Sequence, residues 1–330
     1  MPQPDPMTLP ARYSVRRARD QDAQPMLDLV MACDLFFGKQ PSGYTLEDVR
    51  EGWSNLDRER NTWAIIAPDG ALAAYGELTD RGSGKLIADG YVHPAHRGLG
   101  LGTALARAME ARARELVADA PDGARVSVTN GVLLVDQGAC ELLERDGYTV
   151  VRTFWEMRVT LAEEPAAPTL PAGLRLRAFV PGQDERAVYE SMQTAFEDHW
   201  GHTRTPYEEW VARTTRSDFD PALWLVIETA DGAIPAALLG TMRTDHGWIN
   251  TVGTLREWRG RGLASALLRA SFRVFWQRGM RVVGLGVDAQ NPTGATRVYE
   301  AAGMAPVVSA VVYEKLLRDG VDLGGSGAAE

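Results

Sequence analysis

The chain has 330 residues, 45% apolar and 24% charged, a globular composition rather than a disordered one, and its length suits two cores of roughly 150 residues each. A net charge of −9 argues against a nucleic-acid partner, whose phosphates call for a basic surface, and suits a cationic small molecule better. The two cysteines, Cys33 and Cys140, form neither a disulfide framework nor a metal clip, no apolar run approaches the ~18 residues of a membrane span, and no basic-then-apolar leader opens the chain; a cytoplasmic protein with no membrane partner is expected.

In chain order, a proline-rich start of about eleven residues gives way to two strand-like runs, Trp63–Ala67 and Ala73–Leu78. A third, Leu86–Val92, enters a Gly-rich turn and then a helix from about Thr103. A strand at Val126–Val128, a short helix ending at Gly147 and an apolar closing segment complete this half. Residues 163–173 hold three prolines, Pro165, Pro168 and Pro171, and read as a semi-rigid linker. Beyond it the order repeats: Leu223–Glu228, Ala237–Met242 and Trp248–Thr254, a second Gly-rich turn, a helix from about Ser265, a strand at Val282–Val287, a short helix ending at Gly303 and a closing segment. Hairpins feeding strand-to-helix connections predict an α/β fold with a mixed, mostly antiparallel sheet flanked by helices in each half. The expected domains are 13–160 and 174–317.

The two turns are Arg97-Gly98-Leu99-Gly100-Leu101-Gly102 and Arg259-Gly260-Arg261-Gly262-Leu263-Ala264. Each lies between a strand and a helix. Small residues let backbone N–H groups converge, and the helix that follows offers unpaired amides and a positive dipole end to a phosphate. One such turn also suits a plain tight connection; two in equivalent places favour anion capture. A dinucleotide-binding fold would place its Gly-rich turn after the first strand, whereas here several strands come first.

With these residues the chain resembles the GNAT superfamily of acetyl-CoA-dependent N-acyltransferases, whose motif is a strand followed by Arg/Gln-x-x-Gly-x-Gly/Ala. Val92, His93 and the turn to Gly102 match it, as do Leu255 and the turn to Ala264, with Thr254 standing where the family usually has Val. The tandem layout is similar to the mycothiol synthase-like branch. The resemblance implies that acetyl-CoA is the co-substrate, that both turns hold its pyrophosphate, and that pantetheine lies between two splayed parallel strands.

A second motif separates the halves. Gly286 to Met304 resembles the family's strand, Asn turn and Tyr-x-x-x-Gly helix. The resemblance implies that Asn291 contacts the pantetheine arm and that Tyr299 is the general acid, a phenol of reference pKa ~10 facing a departing thiolate. Aligning Gly147 with Gly303 puts Leu143 in the place of Tyr299. Leucine donates no proton, so the first half is expected to be catalytically silent. The expected activity is direct transfer of an acetyl group to a small-molecule amine; a non-catalytic acyl-CoA-binding or partner-binding module is the alternative.

The general base is left open among Asn250, Asp245 and His246, with a polar turn residue the simpler reading of His246. Ala195 to His202 mixes aromatic and acidic groups where the family builds its acceptor site. Glu197, His199 and His202 lack helical metal-ligand spacing, so no metal is expected. Phe272, Phe275 and Trp276 recur at helical spacing as core residues.

Overall fold

The structure, a computed structural model, describes residues 7–38, 44–54, 56–197, 204–291 and 293–323. The first elements are β1 (Ser14–Arg16), α1 (Ala23–Phe36), α2 (Leu46–Ser54), α3 (Arg58–Asn61), β2 (Thr62–Ile66), β3 (Leu72–Asp80) and β4 (Lys85–Val92). There follow α4 (Leu101–Leu116), β5 (Val126–Leu133), α5 (Gln137–Arg145), β6 (Thr149–Thr160), β7 (Leu174–Ala178), α6 (Glu185–Ala195) and α7 (Tyr207–Ala212). The last are β8 (Trp224–Thr229), β9 (Ala236–Met242), β10 (Gly247–Thr254), α8 (Leu263–Gln277), β11 (Val282–Asp288), α9 (Ala295–Ala301) and β12 (Ala305–Arg318).

These elements pack into two compact units, one holding described residues 7–153 and 310–323, the other 154–309. In the first the strands lie in the order β1-β2-β3-β4-β5-β12, in the second β6-β11-β10-β9-β8-β7. Each has one parallel pair, β4 with β5 or β10 with β11, among antiparallel neighbours. The fold is the mixed α/β sheet expected from the sequence.

The units differ from the expected spans 13–160 and 174–317 in their closing strands, which are exchanged. Phe154–Thr160 of β6 pair with β11 in the second unit, whereas Ala310–Arg318 of β12 pair with β5 in the first. Both segments are long and β-prone, and such a pattern fixes which face is buried but not which sheet receives it.

In the first unit Leu105 and Met109 of α4 pack on Leu78, Val128 and, from β12, Val311 and Tyr313. In the second, Leu267 and Phe275 of α8 pack on Ile227, Leu238, Val283 and, from β6, Met157. Phe272 and Phe275 are buried and Trp276 is partly buried against the same cluster, as the helical spacing requires. Phe275 fills the space left by Gly247, where a Cβ would come within 2.4 Å of its ring. Phe275→Ala is therefore expected to lower stability by about 3–5 kcal/mol, read as a lower urea midpoint with an unchanged slope.

Candidate active site

The site is assembled by the turn between β10 and α8. Gly260 and Gly262 have φ of +75° and +77°, a left-handed conformation that glycine adopts without a Cβ penalty. Gly262 is the N-cap of α8, and the helix begins at Leu263, two residues before the expected Ser265. The first amides of a helix have no intrahelical acceptor. Gly260, Gly262, Leu263, Ala264 and Ser265 line a cavity of about 440 Å³ that lies wholly within the second unit.

The cavity follows a gap between strands. β10 and β11 pair in parallel only from Gly247–Val283 to Ile249–Leu285. Beyond that point Thr251–Thr254 stay with β9 and Gly286–Asp288 stay with β6. The register of β10 against β9 jumps between Ile249 and Thr251, leaving Asn250 as the extra residue of a bulge. A bulge frees backbone groups from the ladder, and Asn250 lines the cavity. Across the gap stands Tyr299 of α9. It is 7% exposed, its hydroxyl makes no hydrogen bond among the described residues, and burial makes it a weaker acid, its pKa pushed up to about 12.

Of the residues expected from the sequence, Thr254, Arg259, Gly260, Gly262, Leu263, Ala264, Asn291 and Tyr299 all line this cavity. Arg259 ties the walls together, donating from Nε to the Thr254 carbonyl (3.3 Å) and from Nη2 to the Ala195 carbonyl (3.1 Å). Asn291 closes its turn by accepting from the Thr293 backbone N–H at 2.8 Å. Leu255 and Arg261 are not among the lining residues. Leu255 packs into the cluster around Trp224, and Arg261 lies over the Trp258 ring while donating to the Glu257 carbonyl.

A model of the acetyltransferase (GNAT) family matches residues 25–148 and again 186–304. The chain belongs to the GNAT acetyltransferase family. This GNAT protein is 32% identical to mycothiol acetyltransferase of Nocardiopsis dassonvillei, over 88% of this chain and 92% of that one, and 35% identical to mycothiol acetyltransferase of Kineococcus radiotolerans, over 74% and 78%. A GCN5-related N-acetyltransferase from Sphaerobacter thermophilus superposes with a TM-score of 0.82 at 39% identity, over 97% of this chain and all of that one. A tandem GNAT protein from the clavulanic acid biosynthesis pathway shares the fold, with a TM-score of 0.69 at 19% identity over 94% of this chain and 100% of that one. The chain is thus an N-acetyltransferase with acetyl-CoA as co-substrate. Among the described residues no helix is long and apolar enough to cross a membrane.

The first GNAT unit keeps the turn and the strand gap, since β4 and β5 pair only from Lys85–Ser127 to Ala88–Asn130, but differs at the bulge and the phenol. Gly98 and Gly100 have φ of +76° and +81°, and α4 begins at Leu101, before the expected Thr103. Arg97 is held by both oxygens of Asp136, at 3.0 and 2.7 Å, and lies over the rings of Phe36 and Phe37. His93 caps the short turn before it, accepting from the Ala95 amide at 3.2 Å, while the Val92 carbonyl accepts from the Cys33 thiol. Leu99 is exposed, Leu101 is buried, and Gly102 packs near Val92. The pairing of β3 with β4 runs from Ala74–Val92 to Asp80–Leu86 without a bulge, and Leu143 is buried in the core. This unit lacks both the bulged strand and the phenol.

The weaker candidates are dispersed. His246 is buried in the hairpin before β10, its Nδ1 2.6 Å from an Asp245 oxygen and its ring against Trp248. It is a buried turn residue that does not line the cavity. Ala195 and Phe196 do line it, whereas Glu197 is exposed and Asp198 to His202 lie outside the described residues. Cys33 and Cys140 are free and buried, and burial pushes the Cys33 thiol up to about 11. Sequence reasoning missed Phe154, which reaches the cavity only through the strand exchange, and Trp258 and Gly286, which lie inside or beside the motifs without a chemical signature.

Proposed function

We propose that the second unit transfers the acetyl group of acetyl-CoA directly to a small-molecule amine within a ternary complex. The observation that carries this reading is the convergence of the Gly262 turn, the strand gap, the Asn250 bulge and Tyr299 on one cavity. In this reading the amides from Gly260 to Ala264 hold the pyrophosphate, helped by the positive end of α8. Thr254 and Asn291 border the pantetheine arm. A backbone N–H at the bulge polarises the thioester carbonyl. The neutral amine nitrogen bonds to the carbonyl carbon, the C–S bond breaks, and the leaving sulfur takes a proton from Tyr299, while the new amide nitrogen gives its own proton to solvent water, which returns one to the phenolate. The name of the relatives makes compounds of mycothiol chemistry the first acceptors to test.

Gly286 offers a clean probe of the gap. It is extended rather than left-handed, and a Cβ there meets nothing within 4 Å, so Gly286→Trp fills the cavity without straining the backbone. In calorimetric titration with acetyl-CoA it is expected to weaken binding at least about tenfold, and Gly262→Trp to do the same at the turn. The first-unit residues Arg97, Gly98 and Gly100 are proposed as a second phosphate turn, whose occupancy the wild-type stoichiometry and Gly100→Trp report. Undiminished binding and turnover in both Gly286→Trp and Gly262→Trp would overturn the assignment.

A further inference from the structure

We propose that the first unit keeps its phosphate turn latched: Asp136 occupies Arg97 in the place a phosphate would take, and the gap between β4 and β5 admits a CoA ligand only when that ion pair parts. The proposal rests on the reading of Gly98 and Gly100 as a phosphate turn and goes beyond it by naming what holds the turn shut.

The pair joins the two sides of the gap. Beyond Ala88–Asn130 the strands separate, Gly90–Val92 staying with β3 and Gly131–Leu133 with β12. Arg97 lies in the turn that continues β4. Asp136 lies in the loop that continues β5, its amide donating back to the Leu133 carbonyl at 2.9 Å. Both terminal nitrogens of the guanidinium donate to the carboxylate, the two-pronged geometry that arginine also offers to a phosphate. The Asp136 side chain is 14% exposed, and the rings of Phe36 and Phe37 stand 5.4 and 5.1 Å from the guanidinium carbon.

The second unit shows the open arrangement. Arg259 bonds the Thr254 carbonyl five residues before it, on its own side of the gap, while Asn291 on the far side bonds Thr293, and both border the cavity. The first unit deals these bonds differently. The His93 amide donates to Ala73 of β3 at 2.9 Å, so the Val92 carbonyl of the same planar peptide points away from β3. It accepts there from the Cys33 thiol at 3.4 Å, where its counterpart Thr254 accepts from arginine. With that acceptor taken, Arg97 reaches across to Asp136. In sequence, Pro292 stands as far before Gly303 as Asp136 stands before Gly147, and proline brings no carboxylate. A carboxylate at this place both engages the arginine and repels an incoming pyrophosphate, and apparent affinity falls with the fraction of chains whose pair is open.

The test uses the full chain carrying Gly262→Trp, which blocks the turn of the second unit, titrated with CoA by calorimetry. Adding Asp136→Asn removes the charge but keeps a cap for α5, since asparagine caps a helix as well as aspartate does. It is expected to tighten binding at least about tenfold. Adding Arg97→Ala breaks the same ion pair and also removes the partner of the phosphate, so no gain is expected; a pair with a merely structural role would make the two changes alike. Chains with an intact second turn give an independent reading, in which Asp136→Asn raises the stoichiometry from one CoA per chain to two. Binding that Asp136→Asn leaves unchanged and Gly100→Trp abolishes would overturn the latch while the phosphate turn stands. No binding by the first unit in any of these chains would overturn both, and an equal gain from Asp136→Asn and Arg97→Ala would overturn the role of Asp136 as a stand-in for phosphate.

Discussion

Tyr299→Phe is expected to lower turnover by at least about tenfold while leaving acetyl-CoA affinity unchanged. Proton donation by a positioned side chain contributes roughly 10²–10⁴-fold to a rate, and phenylalanine removes the donor while keeping the ring. The ring belongs to the core of the second unit, but its hydroxyl makes no hydrogen bond among the described residues, so the substitution should shift stability by no more than about 0.5 kcal/mol. Loss of rate then reports chemistry rather than unfolding. The pH profile sharpens the expectation. With its pKa pushed up to about 12, the phenol stays protonated through the whole neutral and mildly alkaline range, so the wild-type rate should rise as the amine loses its proton and show no alkaline decline from Tyr299 below that value. A variant with unchanged kcat removes Tyr299 from the mechanism.

Ending the chain after Ser309 is expected to unfold the first unit. The deletion removes the partner of β5 along Val126–Leu133 and empties the core positions of Val311 and Tyr313. It also removes Glu314, bound by Arg125 at 2.9 and 2.6 Å, Lys315, bound to Glu110 at 2.8 Å, and the Tyr313 hydroxyl, which donates to Glu144 at 2.7 Å. Losing one buried aromatic side chain alone costs about 3–5 kcal/mol, against a total stability of roughly 5–15 kcal/mol for a domain. Limited proteolysis of the truncated chain should digest residues 7–153 while residues 154–309, which contain the whole 440 Å³ cavity, remain protected by acetyl-CoA. Equal resistance of both units would show that β12 is dispensable. A fragment of 174–317 should fare worse than one starting at 154, because it lacks the β6 residues that pair with β11.

Much of this was legible in the sequence because it is local. Gly98, Gly100, Gly260 and Gly262 announce left-handed turns, the runs before them announce strands, and the contrast of Tyr299 with Leu143 follows from counting back from Gly303 and Gly147. What escaped is non-local. Thr149–Thr160 and Ala305–Arg318 carry no mark of their partner, since side-chain alternation speaks of a face and not of a neighbour. The Asn250 bulge is a matter of backbone register. Asp136 is an ordinary acidic residue until the fold brings it to Arg97. His246, at the tip of a hairpin, looks polar and exposed in sequence, yet Trp248 and Asp245 bury it.

The exchanged strands also impose an order on biosynthesis. At roughly 5–20 residues per second, a ribosome that has just released residue 153 works for about 8–30 seconds more before β12 emerges. Until then the first-made unit exposes the open edge of β5, while β6 can already serve β11 of the unit made after it. The N-terminal portion is therefore expected to mature last, so that nascent chains from which residues up to 309 have emerged, with β12 still enclosed by the ribosome, should show a protease-resistant acetyl-CoA site beside a still-labile beginning.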